Sequence, residues 1–241
     1  MNPTQNLSDV IRQIERRLKA PVAQRDKFER DLIRRIGKAW EGELAELMKY
    51  VGDPPSLSNV PESYWNNGGK KLRQAIQPIL ESVFIEQAAS VARSVNLTID
   101  WMLVNEQAVN WASEYAGKLI TKITEANRKL VNEYVQRYYR DRWTIDDLVD
   151  KLSVMFSKER ARIIAITETT NAATQSELST INYLEGQYNL RYDGYWLTAN
   201  DDRVCDYCGP RHDKLIEDGE YPPAHVNCRC EVRFELHKDE A

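Results

Sequence analysis

Four cysteines and a histidine crowd one short stretch of the 241-residue chain: Cys205-Asp206-Tyr207-Cys208, then His225-Val226-Asn227-Cys228-Arg229-Cys230. The preceding 204 residues hold no cysteine. A C-x-x-C turn lets two thiolates point at one ion from a tight bend. A second group with H-x-x-C and C-x-C spacing supplies the remaining donors. Thiolates with at most one imidazole suit zinc, with an iron–sulfur cluster as the lesser alternative. Five candidates (Cys205, Cys208, His225, Cys228 and Cys230) face a tetrahedral ion that takes four. Such a surplus points to a closed, structural site, because catalytic zinc keeps a position open for water. The plain alternatives are a set of reduced, buried cysteines or a disulfide. The loop is polar and has little to pack, so an ion worth roughly 10–16 kcal/mol in small zinc peptides is expected to hold it.

The elements that position these donors follow from periodicity. Phe28, Leu32, Ile36, Trp40, Leu44, Leu47 and Val51 recur every three or four residues, and Gly52 with Asp53-Pro54-Pro55 ends the run. This predicts a helical pair over 1–52 and a Pro/Gly connector over 53–69 that closes with Asn66-Asn67-Gly68-Gly69. A long stripe runs from Val104 through Ala108, Trp111, Tyr115, Leu119, Ile123, Ala126, Leu130 and Tyr134 to Tyr138. It predicts one long helix with an apolar face. Thr144 or Asp146 can cap a short helix, and Ser157 another that ends near Gly186. Residues 190–198 are aromatic-rich and residues 230–236 alternate with a period of two, so both read as strands. The expected fold is α+β: a mostly helical N-terminal region, 1–143, then a small helix-plus-antiparallel-strand module, 144–241, stapled by a metal-binding loop.

Charge narrows the function. The net charge of −4 argues against binding DNA through bulk positive charge. Residues 191–241 carry twelve acidic against seven basic side chains, a net of −5, so the other 190 residues carry +1. A zinc module that grips phosphates should be basic, and this one is acidic. No apolar run approaches the ~18 residues of a membrane helix. The polar start gives no secretory signal, which makes the cytosol the expected compartment. No G-x-x-x-x-G-K-[ST] loop is present, so the chain does not read as a packaging motor.

Four blocks line up in order: Arg160-Ala161-Arg162-Ile163-Ile164-Ala165-Ile166-Thr167-Glu168-Thr169, Trp196-Leu197-Thr198, Asp202-Arg203-Val204-Cys205-Asp206-Tyr207-Cys208, and Pro222-Pro223-Ala224-His225-Val226-Asn227-Cys228-Arg229-Cys230. Together they resemble the Mu-F-like phage head morphogenesis family, the minor capsid proteins of tailed bacteriophages, over roughly residues 144–236. The resemblance implies a structural, non-enzymatic protein made with the procapsid in the host cytoplasm. It would end inside the head near the portal, in a few copies, and act in assembly and in DNA packaging or ejection. The partners implied are the portal protein, capsid or scaffolding protein and packaged DNA, with self-association and no membrane. Some members carry Arg and His at the positions of Cys205 and Cys208. Others carry a C-terminal toxin domain, and none is expected here.

Within these blocks Arg162 and Glu168 are expected to brace the metal loop from the helix. Trp196 reads as a core aromatic, and Asp202 as the cap of the turn into the C-x-x-C knuckle. Two other readings stay open. One is a metal-dependent hydrolase or nuclease with Glu168 or His212 as acid–base group, although His212-Asp213 reads first as a surface loop. The other is a DNA-binding packaging accessory that uses Arg12, Arg16, Arg17 and Lys19, or Arg137, Arg140 and Arg142.

Overall fold

The computed structural model describes residues 24–94, 100–198, 204–217 and 219–237. Among them are six α-helices: α1 (Arg25–Ala39), α2 (Glu43–Val51), α3 (Glu62–Ser94), α4 (Trp101–Asp141), α5 (Ile145–Ser153) and α6 (Lys158–Tyr188). Two strands, β1 (Tyr192–Leu197) and β2 (Glu231–Leu236), complete a mostly helical chain with a C-terminal antiparallel sheet. No helix among the described residues is long and apolar enough to cross a membrane. The described residues group into two compact units, each discontinuous in sequence: one of 29–79 and 111–165, the other of 24–28, 80–110 and 166–237.

The first unit is helical. Leu47, Val51, Leu148, Leu152 and Met155 are fully buried in one cluster with Tyr64, Trp65, Val131 and Val135. Each such side chain contributes roughly 1.5–3 kcal/mol by leaving water. Helix α2 ends as the sequence predicts: Gly52 has φ +73° and its N–H bonds the Met48 carbonyl at 3.0 Å. Thr144 caps α5 in a reciprocal box, receiving the Asp147 N–H at 3.1 Å while the Asp147 carboxylate receives the Thr144 N–H at 2.8 Å.

Two details of this unit depart from the sequence reading. Helix α3 already begins at Glu62, so Asn66-Asn67-Gly68-Gly69 lies inside it and not in a connector. The reason is packing: a Cβ on Gly69 would sit 3.1 Å from the Ile120 side chain. Turn-like composition here serves a close helix contact. The buried row of α4 in this unit opens with Ala112 and Ala116 and continues through Ile120, Ile123, Val131 and Val135, while Trp111 and Tyr115 stack on each other, 5.1 Å between ring centres. At its start small residues are buried in place of Trp111 and Tyr115; further along, Ile123 is buried and Leu130, Tyr134 and Tyr138 pack on the core as the stripe predicts.

In the second unit the sheet packs on α6. Ile181 and Leu184 of the helix bury against Val232 and Phe234 of β2, with Tyr192, Ile216 and Tyr221 around them. The register runs from Tyr192 opposite Leu236 to Leu197 opposite Glu231. The far edge of β1 is paired as well: Trp196 donates to Lys214 O (2.9 Å), Asp213 to Trp196 O (2.8 Å) and Ile216 to Gly194 O (2.8 Å). Gly194 is needed here, since a Cβ would meet the Tyr221 ring at 3.2 Å. Strand β1 is therefore flanked by the segment after the first cysteine pair and by the strand after the second. That arrangement brings the two halves of the cluster together.

Candidate metal centre

Each half of the cluster is built by its own backbone. The Cys205 carbonyl accepts the N–H of Cys208 (3.1 Å) and of Gly209 (2.9 Å), the tight bend expected of C-x-x-C. A one-turn helix, Gly209–Arg211, follows. The Cys208 N–H also lies 3.4 Å from the Cys205 sulfur, and this backbone donor lowers the Cys205 pKa below the usual thiol value. In the second half Cys228 N bonds the His225 carbonyl at 3.3 Å. The turn passes through Asn227 at φ +66°, a left-handed conformation that Asn tolerates.

The His225 ring shows its chemistry through its bonds. Nδ1 lies 2.8 Å from the Val226 carbonyl, which can only accept, so Nδ1 carries the proton. The lone pair on Nε2 then faces Cys205 Sγ at 3.1 Å and Cys208 Sγ at 3.2 Å. A ligating histidine is commonly fixed in this way, with its second nitrogen donating to a backbone carbonyl. Cys208 Sγ is 4.0 Å from Cys228 Sγ. Zinc–sulfur bonds of about 2.3 Å in a tetrahedron place sulfurs ~3.8 Å apart. The five donors form two triads, Cys205–Cys208–His225 and Cys208–Cys228–Cys230, each within 4.8 Å and sharing Cys208. All four cysteines are free of disulfides. The donor set fits a thiophilic cation.

Burial and mutual contact divide the thiols. Hydrogen bonding from Cys230, then from backbone amides, pulls the Cys228 pKa down to about 5. Burial pushes Cys208 up to about 12. Cys230 rises too, through its hydrogen bond to Cys228 and through burial. The Val226 carbonyl raises His225. A cation that gathers these groups must displace the protons they hold.

The structure places the other expected residues as follows. Trp196 is 1% exposed and packs with Cys208, Cys228 and Cys230, a core aromatic behind the thiols. Glu168 is buried on α6. The Arg162 guanidinium binds Glu159 at 2.7–3.1 Å. Asp202, and the basic group Arg12, Arg16, Arg17 and Lys19, lie outside the described residues. His212 fastens the end of β1: its Nδ1 receives the Thr198 N–H at 3.1 Å, and Nε2 faces Asp213 at 3.4 Å.

Three side chains absent from that list touch the cysteine loop. Thr167 Oγ1 accepts the Asn227 N–H at 2.8 Å. Thr170 donates to the Cys228 carbonyl at 2.9 Å and accepts from Arg25 at 2.8 Å. The sequence signal for the threonines was two hydroxyls three residues apart on one helix face amid alanines and isoleucines. Arg25 had no local signal.

The fold and cluster so far define a mostly helical protein whose C-terminal sheet carries a cysteine–histidine group able to hold a metal ion. Residues 116–233 match the family described as Phage Mu protein F like protein. Over those residues, just under half of the chain, the sequence is similar to the Phage Mu protein F-like family. The match starts inside α4, upstream of the four blocks that carry the resemblance. No curated protein and no solved structure matches the chain.

Proposed function

We propose that this chain is a structural minor capsid protein that acts at the portal vertex of a tailed-phage head, during procapsid assembly and DNA packaging or ejection. The observation that carries the reading is the family match across 116–233. In this reading the protein is made in the host cytoplasm, resides in the virion inside the head, and has the portal protein as its main partner. Capsid or scaffolding protein, packaged DNA and a second copy of the chain are further contacts.

The metal is zinc and its role is structural. Its ligands come from Cys205, Cys208, His225, Cys228 and Cys230, and Trp196 closes the site from behind. Zinc here supplies a cross-link between the two halves of the loop; this chain's residues supply the closed donor set and the hydrogen bonds that orient it. The chain carries no catalytic residues. The division of labour gives residues 1–143 the contacts with other proteins and 144–241 the metal module.

Co-expression with the portal protein of the same phage tests the reading. The two should co-purify as a defined complex, and portal alone should lack the chain. A chain that never associates with portal or procapsid under these conditions, while purifying folded, removes the reading. Elemental analysis of protein purified without added metal should return about one zinc per chain.

A further inference from the structure

We propose that Arg25, Thr167 and Thr170 form a bracket that holds Asn227–Glu231 in ligating geometry before the ion arrives, so that metal affinity depends on a residue at the start of α1. This rests on the metal reading above and adds the part of the protein that presets the site.

Two peptide groups of the H-x-x-C turn, 226–227 and 228–229, are pinned from one helix face. Thr167 takes the Asn227 N–H at 2.8 Å, and Thr170, one turn further along α6, gives its hydroxyl proton to the Cys228 carbonyl at 2.9 Å. The peptide between them is held within the turn, where the Cys228 N–H bonds the His225 carbonyl at 3.3 Å, so the planes on both sides of Cys228 are tied and its Cα–Cβ bond has a set direction. The Asn227 backbone is left-handed, φ +66°, a conformation that Asn tolerates and that the Thr167 bond helps to select.

Arg25 completes the bracket. One guanidinium arm reaches Thr170 Oγ1 at 2.8 Å and the other reaches the Glu231 carboxylate at 3.1 Å, a contact between residues 206 apart in sequence. Thr170 is 0% exposed and the Arg25 side chain 13%. Accepting from a cation polarises the Thr170 hydroxyl and strengthens its donation to Cys228 in a low-dielectric setting. Glu231 is the residue after Cys230, so the arms straddle the C-x-C segment. A lysine keeps the charge but cannot span both partners.

The test is a zinc competition titration on the full chain with a chromophoric chelator, alongside the absorption spectrum of the cobalt-loaded protein. Thr170→Val and Arg25→Gln should each weaken zinc binding by about 10- to 100-fold, the usual effect of losing a residue that orients a ligand. Cobalt bands should stay where they are, because the donors are unchanged. Thr170→Ser, which keeps the hydroxyl, should restore affinity, and Arg25→Lys should fall between. Urea unfolding of the metal-free proteins separates a merely structural role, which lowers the midpoint and leaves affinity intact. Unchanged affinity in Arg25→Gln and Thr170→Val, or a Thr170→Ser as weak as Thr170→Val, overturns the bracket on a wild-type chain that binds zinc. A wild-type chain that binds no metal overturns the parent reading and the bracket with it.

Discussion

The two arms of the cysteine–histidine cluster are held in different ways. The His225–Cys230 arm is bonded along its backbone to α6, and Cys228 and Cys230 are buried. The Cys205–Cys208 arm is held by its own bend and, further along, by the pairing of 213–216 with β1. Cys205 is only half-buried, and Tyr207 beside it is 44% exposed. One arm is tied to the helix; the other rests on its own bend and on β1. A site built this way needs the metal for one arm more than for the other.

The largest effect expected is loss of the ion itself. Cys208 belongs to both triads, so Cys208→Ser should drop zinc content to near zero by elemental analysis. Chelation of the wild-type protein should raise amide hydrogen exchange most over 204–217 and least over 225–236. Equal loosening of both arms would break the comparison.

Glu177, on the helix that holds the preset arm, sharpens it through pH. The carboxyl is buried, accepts a hydrogen bond from Gln87 at 2.6 Å, and burial lifts its pKa from 4.5 to about 8. The folded chain keeps this proton where the unfolded chain gives it up. Its cost to stability is therefore absent below pH 4.5, grows as pH rises, and levels off above 8, at about 5 kcal/mol at most. Glu177→Gln should flatten the urea midpoint of the metal-free protein across that window. A slope that survives the substitution assigns the pH dependence elsewhere.

Leu152→Ala, in the core of the other unit, should cost about 2–5 kcal/mol of stability and leave zinc affinity as it was. A parallel fall in affinity would mean that the site depends on more than its own bracket. Smallest is Arg211→Ala: the guanidinium stacks on Tyr207 at 3.8 Å and bonds its hydroxyl at 2.8 Å on the exposed arm. About 0.5–1 kcal/mol is at stake there, to be read as a shift of Tm in the zinc-loaded protein. A larger shift would make this arm as preset as the other.

The helices, both strands, the Gly52 stop and the Thr144 cap were legible because periodicity and capping are local. So were the five donors, whose spacing is itself the signal. Gly68-Gly69 misled because small residues mark turns and close helix contacts alike, and only the partner, Ile120, tells them apart. Thr167 lies in the Arg160–Thr169 block, but a hydroxyl in mid-helix gives no hint of which carbonyl or amide it will meet. Arg25 was out of reach altogether: a contact that spans most of the chain leaves no pattern in its neighbourhood.

The ladder between β1 and β2 has a direction, and it matters under load. The far end is Tyr192–Leu236, closed by the His237 N–H on the Arg191 carbonyl at 2.7 Å, while Leu197–Glu231 lies next to Cys230. Tension on the chain beyond β2 would peel the pairs one after another from Leu236 towards Glu231, releasing about 20 Å over six residues. There the unzipping would meet Cys230 and its cluster, which a bound ion would keep from yielding one hydrogen bond at a time. In the role proposed above, the strand would serve as a short extension joint that stops at the cysteine–histidine cluster.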